Sequence, residues 1–406
     1  MKIPLKKILL YSALVLLGLV IVFLVCRLML NLSAVGHALS SMVGALRSIV
    51  LGCVMAYLLY PLTRFAEQFL LFHHVKPKSA RTLSTAFSTI VLLTLIFLFA
   101  YFIIPQMVVN LPPLIQGLPE MIQSFSKNLS DFLAQSLLPT TDLVMDRQEK
   151  KKQVKFFTNP ELCDITEDLV LTEPYLAQPM NPRNKNIVTP GNEDFVRARL
   201  YEDEALHGEV AALRNGFMNN AQALIHGDLH SGSIFANEQG IKVIDPEFAF
   251  YGPMGYDIGN VIGNLFFAWA NKAYTGGSAE TQTALEQTIR ETCDKTAEKL
   301  AAEYDKLVKF PLYRAPAFRK AYLDGVMADA YGYAGTEIIR RVVGDSKVME
   351  VTSVTDPAQR LPMERALIKL GIYLIKNRAC GLTGAAVTEK FREILSEGRE
   401  SYGQNG

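Results

Sequence analysis

Acidic side chains are scarce in the first third of the chain. Up to residue 131 the only ones are Glu67, Glu120 and Asp131. From residue 142 to residue 402 acids and bases are dense and interspersed. So sharp a shift excludes one uniform domain and predicts a boundary near 125–140, in a chain of 406 residues with room for more than one domain. Excess charge is also missing: 41 Lys and Arg stand against 40 Asp and Glu. That balance removes any net-charge argument for a nucleic-acid partner. The five cysteines, Cys26, Cys53, Cys163, Cys293 and Cys380, show no CxxC or metal-type spacing. They read as reduced thiols packed as small hydrophobes, which suits a cytoplasmic or inner-membrane protein and not a disulfide-stapled secreted one. After residue 131 no apolar run is long enough to span a bilayer. Trp269 is the single tryptophan and is expected in the core of the second part.

Long apolar runs are present before that point. Ile8 to Cys26 is almost uninterrupted, with Lys2, Lys6 and Lys7 ahead of it and Arg27 behind. It is longer than the apolar core of a signal peptide and lacks a small-x-small cleavage site, so it reads as a transmembrane helix. Ser48 to Leu62 is a shorter candidate, and Leu83 to Ile104 is as strong as the first. Apolar residues then recur at helical spacing from Pro105 to Leu133, with Pro112, Pro113 and Pro119 expected as breaks. The pieces AYLLYPL (Ala56–Leu62) and IIPQMVVNLPPLIQGLPEMI (Ile103–Ile122) resemble the autoinducer-2 exporter-like permease family. The resemblance covers residues 1–130. It implies a lipid bilayer around residues 8–104 and an inner (cytoplasmic) membrane location. The later spans of that family have no counterpart, so a truncated permease is expected and not a complete transporter. Basic residues before the first span, and Arg64, Lys76, Lys78 and Arg81 between the second and third, belong on the cytoplasmic side. Three spans would then put everything after Ile104 outside.

The second part holds the stretch LIHGDLHSGSIF (Leu224–Phe235), followed by ANEQG and IKVID (Ile241–Asp245). Apolar, β-branched runs flanking a turn that ends in Gly240 predict a β-hairpin. It puts Asp228 on a loop entering one strand and Asp245 at the exit of the next. If the chain stays extended there, Asp245 and Glu247 share one face and can reach one metal. Asp-Gly pairs and Asp-Pro-Glu also serve as ordinary turn chemistry. A loop aspartate followed, across a hairpin, by metal-type carboxylates is the order used for phosphoryl transfer, with a base for the attacking hydroxyl and carboxylates for magnesium.

LIHGDLHSGSIF with KVIDPEFAFYGPMGYDIGN (Lys242–Asn260), TNPELCDITEDLVLTEPY (Thr158–Tyr175) and EIIRR (Glu337–Arg341) resembles the S-methyl-5-thioribose kinase family, within the aminoglycoside phosphotransferase and choline kinase superfamily. The resemblance runs from about residue 131 to about 398, and 131–402 is taken as the domain. It implies ATP-dependent phosphorylation of the anomeric hydroxyl of 5-methylthioribose in methionine salvage, with ATP and magnesium as cofactors and a homodimer as assembly. Asp228 would be the base and touch the sugar. Asp245 and Glu247 would hold magnesium, with Asp245 and Ser233 at the nucleotide. Ser233 stands where the wider superfamily has asparagine. Arg340 and Arg341 would reach sugar and phosphoryl group; their spacing alone also fits a solvated helix face. His226, His230 and Asp257 would brace the loop, Asp257 by bonding its backbone or else as a helix N-cap.

Kinases of this type carry a small N-terminal lobe with a glycine-rich turn and a strand lysine. The glycines before residue 140 are Gly18, Gly36, Gly44, Gly52 and Gly117, all in or beside apolar helices, and no lysine before residue 130 sits in such a strand. The expected fold is therefore an all-α membrane segment of about three spans. A mostly helical α+β, protein-kinase-like C-lobe with small β-hairpins follows, the kinase N-lobe missing. Helices are expected at Ala279–Tyr304, Met363–Asn377 and Thr388–Ser396. The missing lid and the outside placement, away from cytoplasmic ATP, both argue against turnover. They make an inactive fusion of two incomplete genes the competing expectation.

Overall fold

The computed structural model describes residues 57, 59–178, 180, 186–237 and 240–403. The chain divides into two compact units, Met1–Pro113 and Leu114–Gly406, so the contact boundary falls ahead of the compositional one.

In the first unit a helix over 59–72 (α1) turns through His74, whose φ is 61°, into a helix (α2) that starts at Pro77 and runs on to Leu137, within the second unit's residues. The small residues Ala80, Ser84 and Ser88 of α2 are buried, and Thr63 Oγ1 of α1 meets Ser88 Oγ at 2.7 Å. The large side chains Phe87, Ile90, Leu93 and Phe97 are exposed instead. Pro77–Phe99 is long and apolar enough to cross a membrane, and most of it is not buried. Of the other expected spans, Ile8–Cys26 and most of Ser48–Leu62 lie outside the described residues. The expected breaks at Pro112, Pro113 and Pro119 are not breaks, because helical backbone continues through all of them. A proline removes one amide donor from the ladder, and the bonds on either side can carry the helix past it.

The second unit is mostly helical. Short helices Arg147–Phe156 (α3) and Pro160–Leu171 (α4) lead to Glu204–Asn219 (α5). Four short strands follow: Ala223–Ile225 (β1), Ile234–Asn237 (β2), Gly240–Val243 (β3) and Phe250–Gly252 (β4). Long helices complete it: Met254–Tyr274 (α6), Ala279–Leu307 (α7), Pro316–Val343 (α8), Pro357–Asn377 (α9) and Gly384–Gly403 (α10). The last three expected helices are present, each longer than its periodicity indicates. β2 and β3 form the expected hairpin, with Ile234 opposite Val243 and Asn237 opposite Gly240. β1 and β4 pair as a second antiparallel ribbon, Ile225 opposite Phe250.

The core centres on α6 and α8. Gly255, Gly259 and Gly263 recur every fourth residue and so lie along one stripe of α6. A Cβ on Gly259 would sit 2.5 Å from Ala330 O and 2.7 Å from Ala334 N, so no side chain fits between the helices. This close approach fixes the register of α8 and with it the position of Glu337, Arg340 and Arg341. Trp269 is buried, stacking near Phe266 and meeting Phe391 of α10 edge-on at 5.1 Å. Cys163 and Cys293 are buried as small hydrophobes, whereas Cys380 is exposed.

Candidate active site

The β1–β4 ribbon decides where the Asp228 loop lies. β1 ends at Ile225 and β4 starts at Phe250 directly opposite, so residues 226–249 form a closed excursion whose two ends are adjacent. The loop after β1 and the loop before β4 are thereby held side by side. Gly227 marks their closest approach. Its φ is +83°, and a Cβ there would collide with Phe248 O, so this position accepts only glycine. Asn159 adds a tie by donating from Nδ2 to Glu247 O at 2.7 Å.

Asp257, in the first turn of α6, braces the loop from below. Its Oδ2 accepts from His226 N at 2.6 Å and its Oδ1 from Gly227 N at 3.0 Å. It sits inside the helix and is not its N-cap, which is Pro253. Burial pushes the Asp257 carboxyl up to about 6, although both backbone N–H groups pull the other way. His226 Nε2 lies 2.9 Å from Ile244 O, and its Nδ1 lies 3.4 Å from Asp228 N. A proton on Nε2 satisfies both contacts, so this ring joins the Asp228 loop to the residue before Asp245. His230 Nδ1 accepts from Gly232 N at 3.0 Å, which leaves Nε2–H facing Asp228 Oδ2 at 3.6 Å. Ser233 is buried, with its hydroxyl 3.5 Å from Asp228 O and 3.4 Å from His230 Nε2. It therefore turns inward onto the loop.

Asp228 itself is half-buried at the mouth of this arrangement. Arg340 Nη2 donates to its Oδ1 at 3.2 Å, and Arg341 Nη2 stands 3.7 Å from the same oxygen. The two arginines are not on a solvated face: Arg340 is buried, and the side chain of Arg341 is 13% exposed. Glu337, one turn earlier on α8, takes Arg340 Nε on Oε2 at 2.6 Å and Arg341 Nε on Oε1 at 2.8 Å. Burial alone would raise the Glu337 carboxyl. The charges of Arg340 and Arg341 outweigh it and bring the group down to about 2.

Asp245 and Glu247 are both exposed at the exit of β3. The extended geometry expected for them is not found. Asp245 is left-handed, φ 67° and ψ 52°, and Pro246–Phe248 is a 3₁₀ turn. Pro246 fixes its own φ, and an aspartate tolerates the left-handed region that starts so tight a turn. Strained backbone of this kind gathers at functional sites. Among the described residues no group of three His, Cys, Asp or Glu side chains could hold a metal unaided. Two carboxylates are nonetheless a donor set that suits magnesium when phosphate oxygens and water complete the shell.

Glu337 is the site residue that the motif reading leaves without a role, although its i, i+3 and i+4 spacing to the arginines is written in EIIRR. The glycine stripe of α6 is equally visible in GYDIGNVIG.

Residues 159–292 match the model of the phosphotransferase enzyme family (APH). Among curated relatives, proteins named methylthioribose kinase align over a wider stretch. The one from Erwinia tasmaniensis is 39% identical over 250 residues, 61% of this chain and 61% of its own. That from Pectobacterium carotovorum is 40% identical over 251 residues, again 61% of each. That from Geobacillus thermodenitrificans is 37% identical over 276 residues, 67% of this chain and 65% of the relative. The chain thus spans about three fifths of the length of the first of these relatives. The matches bear on the kinase-like part; the permease resemblance of residues 1–130 gains no support from them.

Proposed function

We propose that this chain transfers the γ-phosphoryl group of ATP to the anomeric hydroxyl of 5-methylthioribose. The observation that carries the reading is the Asp228 carboxylate, half-buried, facing two guanidinium groups and adjoining the loop that bears Asp245 and Glu247. The likeness to proteins named methylthioribose kinase supports the choice of sugar.

In this reading Asp228 orients the sugar hydroxyl and accepts its proton as the oxygen attacks phosphorus and the bond to ADP breaks. Arg340 and Arg341 present planar N–H edges to the transferring oxygens, where charge shifts. Asp257, His226 and Gly227 keep Asp228 from drifting, and most of the rate advantage in this chemistry comes from such positioning. Asp245 and Glu247 would hold magnesium, which neutralises phosphate charge when bound. The full-length chain in detergent, given 5-methylthioribose, magnesium and ATP, should release ADP and form a sugar 1-phosphate visible by phosphorus NMR. ADP release no greater than that of the Asp228→Asn variant would sink the reading.

A second reading concerns location. We infer that residues 8–104 enter a lipid bilayer, on the strength of the apolar, outward-facing Pro77–Phe99 segment. Alkaline carbonate washing of membranes should leave the chain in the pellet; recovery in the supernatant would overturn it.

A further inference from the structure

We propose that Glu337 is a positioning residue for the phosphoryl transfer, a clamp that aims Arg340 and Arg341 together at Asp228 and at the group in transit. The inference rests on the kinase reading above and adds to it a residue that reacts with nothing.

The geometry is specific. Each Glu337 oxygen takes one Nε–H, Oε2 from Arg340 and Oε1 from Arg341. With both Nε groups engaged on one carboxylate, it is the Nη edges that face Asp228, at 3.2 and 3.7 Å. Arg341 Nη1 is tied further to Ser346 O at 3.3 Å. Glu337 is wholly buried, so its rotamer is fixed by what surrounds it. Asn264 Nδ2 donates to Oε1 at 3.2 Å, and Ser231 Oγ of the catalytic loop reaches Asn264 Oδ1 at 3.5 Å. The clamp is thus continuous with the loop whose aspartate it serves.

Charge points the same way. Two guanidinium groups meet two carboxylates, Glu337 and Asp228. Without Glu337 both positive charges would fall on Asp228 and draw it away from a hydroxyl. This carboxylate collects two cations from successive residues and leaves an Nη2 of each turned toward Asp228. The two Nε–H groups use separate oxygens of the carboxylate. A glutamine replaces one of the two carboxylate oxygens with an NH2 donor, so the guanidinium that faced that oxygen loses its acceptor there. An aspartate keeps both acceptors but stops one methylene short.

The test uses the full-length chain in detergent, as wild type, Glu337→Gln and Glu337→Asp, and as Glu337→Gln within an Arg340→Lys, Arg341→Lys background. With 5-methylthioribose and magnesium-ATP, Glu337→Gln should lower kcat by about 10²-fold. KM for the sugar should stay within about threefold, because ground-state binding is spared. Glu337→Asp should recover at least about a tenth of the wild-type kcat. In the double-lysine background Glu337→Gln should add nothing, since a residue acting only through the arginines has no effect once they are gone. An additive loss there, or kcat and thermal stability falling together with no recovery by aspartate, overturns the proposal. If the wild type itself does not turn over, the kinase reading fails, and the clamp is read by nitrogen-15 NMR of the arginine Nε–H groups. Two solvent-shielded signals should be present in wild type and in Asp228→Asn, with at least one lost in Glu337→Gln. Both surviving in Glu337→Gln overturns the clamp on its own.

Discussion

The first part of α2, Pro77–Phe99, and α6 are both rich in apolar residues, and they use them in opposite ways. In α2 the small residues Ala80, Ser84 and Ser88 are inside while Phe87, Ile90, Leu93 and Phe97 face out. In α6 every residue from Met254 to Asn264 is buried, polar Asp257, Asn260 and Asn264 included. Apolar content is therefore a poor guide to burial. In α6 the glycine stripe lets α8 approach until backbone meets backbone, and two of the buried polar side chains act on neighbours: Asp257 on the Asp228 loop, Asn264 on Glu337. The Pro77–Phe99 stretch of α2, with bulky residues on its outer face, has no such partner surface among the described residues, and a bilayer would take that role there.

The contrast can be broken or sharpened by substitution. The largest effect is expected at the site that α6 and α8 build. Asp228→Asn should lower kcat by about 10²–10⁴-fold in the ADP-release assay while the fold survives. Next is the core around Trp269. Phe391→Ala removes a fully buried ring lying 5.3 Å from Phe266 and should cost about 3–5 kcal/mol in chemical denaturation of the second unit. Gly259→Ala should cost about 1–3 kcal/mol through overpacking, because the new methyl would meet Ala330 O and Ala334 N, backbone atoms that cannot swing aside.

A smaller effect is expected with pH. The folded Asp257 carboxyl stands at about 6, above its ordinary 3.8, so the folded state keeps the proton longer than the unfolded one. Its contribution favours the fold fully below about 4 and is lost as pH rises through about 6. Denaturation midpoints between pH 4 and 7 should show that slope, and Asp257→Asn should flatten it. The smallest effect belongs to α2. Leu93→Ala, at an exposed position, should change melting in detergent by less than about 0.5 kcal/mol. A loss as large as that of Phe391→Ala would mean that the face is covered by protein and not by lipid.

Much of the kinase-like part is legible in its sequence because the signals are local. The turn ending in Gly240 between β-branched runs predicts the β2–β3 hairpin, and helical periodicity predicts α7, α9 and α10. The left-handed Asp245 is not legible, since an aspartate before proline reads as extended until the 3₁₀ turn is seen. Nor is the β1–β4 ribbon, whose strands are short and lie far apart in the chain. The prolines of α2 mislead in the other direction, because a missing amide bond weakens a helix without always ending it.

The sequence by itself determined the order of the candidate site's parts: a loop aspartate, a hairpin, two carboxylates, and a glutamate one turn before two arginines. Periodicity and turn propensity act over a few residues, so they can be read from a linear string. Only the tertiary structure decided that Arg340 and Arg341 face Asp228 across the 112 residues from Asp228 to Arg340, and that Glu337 holds both. That outcome depends on how closely α6 and α8 approach. The approach is set by side chains that are absent at Gly255, Gly259 and Gly263, and it emerges only when the two surfaces meet.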